Sequence, residues 1–243
     1  SSAANTLFGA DEFVAIAKPE IPTCERWSDL ERLNKEKELV GIYLSAHPLD
    51  EYRIILQYVC NTGVVELNDR DTLQGREILM GGIVTGFREG MTKTGKPFGI
   101  LKLEDFSGSG EIALFGQDYI DYGRYGKIGM YLLINARVEP GRWDPKKLDF
   151  KIGSIRLLQD EKEKLIEKIS ITVPIHGLDE QTISELSALI KKHPGSSLLY
   201  FKVVDGEHNI TLNLFAPKTR IQVTRDLVDY LTGNENIDFK ING

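Results

Sequence analysis

The sequence has 243 residues, 41% hydrophobic and 27% charged, a composition typical of a soluble protein with enough chain for two domains. Its 30 basic and 36 acidic residues give a net charge of −6, which argues against a protein that coats nucleic acid with its whole surface but allows a local basic groove. No stretch approaches the roughly 18 apolar residues of a membrane span and no secretory signal is present, so no membrane contact is expected. The chain starts with Ser1-Ser2-Ala3-Ala4, without a methionine, as expected of a fragment or a processed protein.

The two cysteines, Cys24 and Cys60, lie far apart in the sequence and lack the spacing of metal ligands. Unpaired thiols in a reducing compartment are expected, which predicts a cytoplasmic protein. Residues 1–23 are rich in small side chains and contain Pro19 and Pro22, which break helices, so a flexible tail is predicted there.

A helical connector is predicted over residues 24–75. Apolar residues recur at three- and four-residue steps and predict a first helix over residues 25–46. They are Trp27, Leu30, Leu33, Val40, Tyr43 and Leu44. Ser28 and Glu31 have the spacing of a capping box at the start of this helix.

The rest of the connector is expected to hold a second short helix over Leu49 to Gln57 and a possible strand over Val64 to Leu67. His47 lies between a helix end and a proline, where a histidine is more often a capping or packing residue than a catalytic base. Asp69 and Asp71 resemble the paired carboxylates of a two-metal site. No cluster of further carboxylates accompanies them, so an exposed loop is favoured.

Residues 76–158 contain β-rich runs that are separated by glycine and proline, the signal of hairpin-linked strands. The predicted strands are Ile78–Arg88, Phe98–Phe106, Glu111–Phe115, Tyr131–Val138 and Leu148–Ile155, with a helix over Gln117–Gly123 between the third and the fourth. Three strands, a helix and two strands are the order of an OB-fold, a five-stranded barrel that often holds single-stranded nucleic acid.

Side chains alternate between the two faces of a half-buried strand, which divides the second and third strands of the barrel into core and outer positions. The core set is Leu101, Leu103, Ile112 and Leu114. Phe98, Lys102 and Phe115 then lie on the outer face, where aromatic rings can stack on bases and a lysine can bind phosphate. The alternative is that the assignment is shifted by one residue and both phenylalanines belong to the core.

Two loops of the barrel are basic. Residues 88–102 hold four basic residues and one acidic residue, and residues 142–151 hold four basic and two acidic residues. In an OB-fold these loops flank the binding groove, although lysines that merely aid solubility remain the alternative. The predicted nucleic-acid-binding residues are Arg88, Lys93, Thr94, Lys96, Phe98, Lys102, Phe115, Arg142, Trp143, Lys146 and Lys147.

The segment from Gly90 to Pro97 nearly matches the phosphate-binding loop of nucleotide hydrolases. That loop needs a serine or threonine where Pro97 stands, and a helix where a strand is predicted. Hydrolysis of nucleotides is therefore rejected. Glycines that supply the positive φ angles of a hairpin explain the segment better.

Residues 159–243 are predicted to form a small α+β domain, one sheet with two helices packed on it. It begins with a charged helical spacer over Asp160–Lys168. The predicted strands are Ile169–Pro174, Leu198–Val204, Asn209–Phe215 and Ile237–Ile241. Asp179 and Thr224 are expected to cap the two helices, the first of which buries Ile183, Leu186, Leu189 and Ile190. No catalytic constellation is evident, so a docking module and a plain scaffold fit equally.

The predicted fold class is thus multidomain, β and α+β, with a helical segment, an OB-fold and a small α+β domain. Through Trp27 and the run Leu39-Val40-Gly41-Ile42-Tyr43-Leu44-Ser45-Ala46-His47-Pro48-Leu49-Asp50-Glu51-Tyr52, the connector resembles a segment of the bacterial DNA polymerase III alpha-subunit family. The barrel looks like the OB domain of that family in Lys93-Thr94-Gly95-Lys96, Leu103-Glu104-Asp105, and Gly110-Glu111-Ile112 through Phe115. Residues 160–243 are similar to its small C-terminal domain.

This resemblance implies the C-terminal part of a replicative polymerase subunit, without the palm that carries the aspartates for polymerisation. No catalytic residue, metal site or cofactor is then expected in this chain, whereas the full-length parent would be a Mg²⁺-dependent nucleotidyltransferase. The OB-fold would bind the single-stranded template, and the last domain would contact the tau subunit of the clamp loader. Leu7 and Phe8 match the family's sliding-clamp motif of the type Gln-x-x-Leu-Phe, although Ala4 replaces its glutamine.

Two functions compete on this basis. The first is a non-catalytic polymerase module whose OB-fold holds single-stranded DNA. The alternative is a platform for protein interactions within the replisome, without significant DNA binding. A nuclease or nucleotidyltransferase activity of the chain itself would need a carboxylate cluster that the sequence does not offer.

Overall fold

The computed structural model describes residues 27–41, 43–141 and 148–243, apart from the side chains of Asp29 and Leu30. Several predictions from the sequence fall outside these ranges and stay predictions. They concern the tail over residues 1–23, the clamp candidates Leu7 and Phe8, Cys24, and the loop residues Arg142, Trp143, Lys146 and Lys147.

Helix α1 (Asp29–Val40) begins with the predicted capping box, in which Ser28 and Glu31 bond each other's backbone N–H groups. The helix was predicted to reach residue 46 but ends at Val40, because Gly41 takes the left-handed conformation (φ 86°) and donates its N–H to the carbonyl of Lys37. The predicted apolar face is wrong as well, since Leu33 is buried whereas Trp27, Val40 and Leu44 are exposed.

Helix α2 (Arg53–Tyr58), preceded by a 3₁₀ turn over Asp50–Tyr52, confirms the second short helix. The possible strand over Val64 to Leu67 is wrong, because Val64–Asn68 forms a 3₁₀ helix. Positions i and i+3 share one side of such a helix, so Val64 and Leu67 both enter the core of the barrel.

The first sheet contains β1 (Glu77–Met91), β2 (Pro97–Glu104), β3 (Ser109–Phe115), β4 (Tyr131–Pro140) and β5 (Leu148–Leu157), and α3 (Gln117–Tyr122) links β3 to β4. The strands lie in the order β3-β2-β1-β4-β5, with antiparallel neighbours throughout. One core takes side chains from all five strands, and Leu101, Leu103, Ile112 and Leu114 are fully buried in it, as predicted. The element order and the shared core are those of an OB-fold.

A β-bulge between Val84 and Gly86 interrupts the pairing of β1 with β2. The extra residue reverses the alternation, so that Val84 and Phe87 both contact the core although they stand three positions apart. The same long strand pairs with β4 through its first half and with β2 through its second half.

The second sheet follows α4 (Leu158–Glu161), which is shorter than the predicted spacer because Leu165 and Ile166 turn inward onto buried residues. Its elements are β6 (Lys168–Pro174), α5 (Glu180–Lys192), β7 (Pro194–Asp205), β8 (Ile210–Ile221), α6 (Arg225–Gly233) and β9 (Asp238–Ile241). The strand order is β8-β7-β6-β9, and α5 connects the parallel pair β6 and β7. One sheet with two helices confirms the α+β prediction.

Of the two predicted helix caps, one is present and the other is absent. Asp179 caps α5 by accepting a hydrogen bond from the N–H of Thr182 at 2.7 Å, as predicted. Thr224 precedes α6 but makes no capping hydrogen bond, and its buried hydroxyl has no partner among the described residues. Ile183 is exposed rather than buried, because Thr182 takes the inward position on the first turn of α5 beside Leu186, Leu189 and Ile190.

A third apolar cluster, the junction cluster, packs the connector and α4 against β1 and β4 of the barrel. Its buried members are Leu49, Tyr52, Ile55, Ile83, Leu133 and Leu158. Cys60 packs beside it, and burial raises the pKa of the Cys60 thiol to about 12, so the thiol is protonated and unreactive at neutral pH. In the described part of the chain, no helix has the length and apolar character to cross a membrane.

Candidate nucleic-acid interface

The outer face of β1, β2 and β3 carries an aromatic pair. Phe98 on β2 lies directly opposite Phe115 on β3, and their ring centroids are 5.4 Å apart. Phe115 is 52% exposed and Phe98 is half-buried, so neither ring belongs to the core. The predicted division of the strands into two faces is therefore confirmed, and the alternative shifted by one residue is wrong.

A glycine supports this pair from the neighbouring strand. Gly90 lies opposite Phe98, and a β-carbon at Gly90 would stand 2.8 Å from Cζ of the phenylalanine ring. The ring can thus lie over β1 because nothing projects beneath it. In the loop between β1 and β2, Gly95 has the positive φ of 74° that the hairpin interpretation requires, whereas Gly90 is needed for packing and has no positive φ.

The loop between β1 and β2 is tightly folded. The hydroxyl of Thr92 accepts the N–H of Lys96 at 3.0 Å and contacts the hydroxyl of Thr94 at the same distance. Lys93 and Lys96 are both exposed on this loop. These hydrogen bonds order the backbone that carries the two lysines, which lowers the entropy lost when the loop binds phosphate groups.

The basic side chains predicted to bind nucleic acid differ in whether an acidic side chain pairs with them. Lys93, Lys96 and Lys102 form no ion pair with any residue that the structure describes. Arg88 differs, because it lies 3.2 Å from Glu111 on the other side of β2. Its charge is thus partly compensated, which makes Arg88 the weakest of the predicted basic contacts.

Two further residues complete the face. Ile100 and Ala113 are paired between β2 and β3, half-buried, and stand between the aromatic pair and Lys102. They provide an apolar floor of about two strands in width. The alternation of β2 placed Ile100 on this face, but its aliphatic side chain gave no reason to include it among the binding residues.

The predicted basic loop between β4 and β5 is flanked by Pro140 and Leu148, the last residue of β4 and the first of β5, which pair with each other. Arg70 fixes this end of the barrel by donating to the carbonyl of Leu148 at 3.0 Å and by covering the ring of Phe150. The predicted binding residues of this loop lie outside the described part, so the structure gives the position of its two ends alone.

His47 packs between the connector and the turn that links β2 and β3. Its ring lies 4.4 Å from that of Phe106, and its Nδ1 accepts the N–H of Leu49 at 3.2 Å. Asp50 accepts the N–H of His47 and pairs with Arg53, whose guanidinium covers Phe106. Burial lowers the pKa of His47, in agreement with a neutral ring. These contacts give His47 the packing role that the sequence predicted.

Among the described residues, no group of three His, Cys, Asp or Glu side chains is arranged to hold a metal. Asp69 and Asp71 are both exposed in a loop of 3₁₀ turns. The surface-loop interpretation of these two carboxylates agrees with that position.

Comparison with known proteins identifies the relatives of this chain. Residues 169–242 match the family model for the DNA polymerase III alpha subunit, C-terminal domain. DNA polymerase III subunit alpha of Mycobacterium tuberculosis H37Rv is 28% identical over 214 residues, covering 86% of this chain and 18% of the relative. The subunit of Escherichia coli K12 is 26% identical over 241 residues, covering 95% of this chain and 20% of the relative. The chain is related to the C-terminal region of the DNA polymerase III alpha subunit.

The resemblance inferred from the sequence is thus confirmed along most of the chain. The chain spans about a fifth of the length of the curated relatives it matches. What those relatives do as whole proteins is therefore carried to this chain by proposal.

Solved structures show weaker likenesses. Rim1, a mitochondrial single-stranded DNA binding protein of S. cerevisiae, is 14% identical and covers 35% of this chain and 95% of its own, with a TM-score of 0.27. The second OB-fold domain of replication protein A from Methanococcus maripaludis is 19% identical over 35% of this chain and 87% of its own, with a TM-score of 0.25. The OB-fold assignment therefore rests on the strand order and the shared core of the barrel alone.

Proposed function

We propose that this chain is a non-catalytic part of a replicative DNA polymerase and that its OB-fold holds single-stranded DNA on the outer face of β1, β2 and β3. The observation that carries the proposal is the exposed pair Phe98 and Phe115, flanked by lysines that lack an acidic partner in the described chain. Every base has a π-face, so such a pair accepts bases without regard to sequence.

The geometry suits a single strand better than a duplex. The rings of Phe98 and Phe115 lie on a sheet surface, where unstacked bases can reach them but paired bases cannot. The loop between β1 and β2, which carries Lys93 and Lys96, leads directly into the start of β2, where Phe98 lies. Its lysines can therefore bind the phosphates of a strand whose bases stack on Phe98. A sequence-tolerant contact of this kind is what a moving polymerase needs on its template.

Catalysis by the parent polymerase is assigned to parts of the relatives that this chain does not cover. In this proposal Mg²⁺ and the aspartates that bind it belong to those parts, and the present chain needs no cofactor of its own. The proposal also assigns the chain to the cytoplasm, where a bacterial replication polymerase works.

Charge reversal in the loop between β1 and β2 tests the DNA proposal. Lys93→Glu with Lys96→Glu should weaken binding of a labelled single-stranded oligonucleotide, measured by fluorescence anisotropy at several salt concentrations. The dependence on salt should also flatten, by about 0.7 in the slope of log K against log salt for each phosphate that no longer has a lysine beside it. A duplex of the same length should bind less tightly than the single strand.

The matched control reverses two exposed charges on the helices of the second sheet, Lys191→Glu with Arg225→Glu. This control should bind the oligonucleotide as the unmodified chain does, apart from a small general effect of net charge. If the loop variant and the control have equal affinities and equal salt slopes, the loop lysines do not contact DNA. No binding by the unmodified chain at low salt would favour the protein-platform alternative.

A second function, docking of the tau subunit of the clamp loader, is favoured by an exposed apolar row on β8. Ile210, Leu212 and Leu214 share one face of this edge strand and are 60%, 53% and 45% exposed. Contiguous aliphatic side chains on a sheet edge are typical of protein-binding surfaces. The row lies within residues 169–242, the part that matches the family's C-terminal domain.

Polar substitution of the row tests this second function. Leu212→Ser with Leu214→Ser should reduce the capture of purified tau on the immobilised chain by tenfold or more, because each exposed leucine contributes about 1 kcal/mol or more when an interface buries it. Thr211→Ala with Asn213→Ala, on the opposite face of the same strand, is the control and should leave capture unchanged. Equal capture by both variants would place tau elsewhere.

Contact of Leu7 and Phe8 with a sliding clamp is also part of the proposed role in replication. It rests on the sequence motif and on the family to which the chain is related. Both residues lie outside the described part of the chain.

A further inference from the structure

The second sheet has one covered and one open face. Ile169, Ile171 and Leu199 point to the face on which α5 and α6 pack, and they are fully buried there. Their neighbours point to the other face, where Ser170 and Tyr200 are half-buried. No described element packs over this second side, which we call the open face.

Strand pairing arranges the open face in rows that run across the sheet. One row contains, in spatial order, Lys240, Ser170, Tyr200 and Phe215. The next row contains Asp238, Thr172, Lys202 and Asn213. A third row, on the other side of the first, contains Lys168, Leu198 and Arg220. Residues from four strands that are remote in sequence thus share one surface.

An aromatic pair lies at one side of the middle row. Tyr200 and Phe215 are stacked with ring centroids 4.7 Å apart and planes inclined by 22°. Phe215 is 48% exposed, although β8 forms the edge of the sheet and could have carried a polar residue there. Beside the pair, Ser170 is small, so the rings stand above the floor of the face and can be reached from it.

The charge of the open face is opposite to that of the chain. Its rows hold four basic residues, Lys168, Lys202, Arg220 and Lys240, against one acidic residue, Asp238. Within the described ranges, none of the four basic groups is engaged in an ion pair. A basic surface on a chain of net charge −6 attracts a polyanion to that one place.

We propose that the open face of the second sheet is a second binding surface for single-stranded nucleic acid, separate from the outer face of the OB-fold. Bases stack on Phe215 and Tyr200, and Lys202, Lys240 and Arg220 bind the phosphates. A flat sheet that carries aromatic rings among basic side chains is one of the recurring ways in which proteins bind single strands. Proteins are a poorer fit, because the aliphatic row of β8 lies on the opposite face of the sheet.

The test uses the whole chain and an oligonucleotide of about 30 nucleotides, longer than one OB-fold occupies. Lys202→Glu with Lys240→Glu should lower its affinity about tenfold relative to the control Lys191→Glu with Arg225→Glu, whose reversed charges lie on the covered side. Phe215→Ala should lower the affinity about fivefold or more, because one base no longer has a ring to stack on. Photocrosslinking of an iodouracil-substituted oligonucleotide should label the peptide that contains Tyr200 or Phe215.

Two results would overturn the proposal. The first is an affinity of the Lys202→Glu, Lys240→Glu variant equal to that of the control, together with no crosslink to β7 or β8. The second is competition by poly-glutamate that equals competition by the unlabelled oligonucleotide. This result would mean that the face binds negative charge without contacting bases. Because these substitutions leave the OB-fold untouched, failure here is distinguishable from failure of the Lys93 and Lys96 variant.

Discussion

Truncation of both phenylalanines on the OB-fold, Phe98→Ala with Phe115→Ala, should lower the affinity for single-stranded DNA by tenfold or more. Each base that stacks on an aromatic ring contributes about 1–3 kcal/mol by alanine substitution, and this variant removes both rings. Unlike charge reversal, it should leave the salt dependence of the remaining binding unchanged, because the lysines still bind the same phosphates. Fluorescence anisotropy over a salt series measures both quantities.

A matched control for this variant removes the same kind of surface elsewhere. Leu39 and Ile120 are 83% and 70% exposed, and neither lies on the outer face. Leu39→Ala with Ile120→Ala should bind as the unmodified chain does. Comparable reductions in affinity for both variants would show that exposed apolar area in general, rather than the aromatic pair, drives the binding.

Leu101→Ala should destabilise the barrel by about 2–5 kcal/mol, since a fully buried leucine leaves a cavity when it is truncated. Leu101 is completely inaccessible and belongs to the core that all five strands share. Urea denaturation, followed by circular dichroism, should show a lower midpoint with little change in slope. At low urea concentration the variant should still bind DNA, because its outer face is unaltered.

The neighbouring residue provides the control. Ile100→Ala lies one position away on the same strand but points to the outer face. We expect a loss of stability of about 1 kcal/mol or less, with weakened DNA binding because the apolar floor is reduced. An equal loss of stability in both variants would contradict the division of β2 into a core face and an outer face.

The barrel could be predicted from the sequence because its signals are local. Alternation along β2 and β3 placed Leu101 and Leu103 inside and Phe98 and Phe115 outside, and glycine and proline marked the turns. A strand with one buried face has to repeat every second residue, so the pattern fixes the face once the strand is recognised.

Other features depend on contacts between distant residues. The segment Val64–Asn68 has the β-branched residues of a strand, yet it packs as a 3₁₀ helix against the barrel, where the backbone N–H of Val64 reaches the carboxylate of Asp105. Gly90 was explained as a turn residue because its neighbour across the strands, Phe98, is not apparent from the sequence. Tertiary context decided both cases.

The candidate site shows the same division. Its aromatic pair and lysines followed from alternation and local charge, whereas the partial neutralisation of Arg88 by Glu111 follows from the strand register. The open face of the second sheet escaped detection for this reason as well. Lys240, Ser170, Tyr200 and Phe215 come from four strands, and only their pairing shows that they are neighbours.

Helix α2 contributes to two cores at once. Ile55 packs in the junction cluster with side chains of the barrel, while Ile54 and Tyr58 pack against the core of the second sheet, where the Tyr58 ring lies 5.2 Å from that of Phe239. Displacement of these six residues would expose apolar surface on both sheets. Because the short helix packs against both sheets, a substitution that displaces it is expected to destabilise both of them.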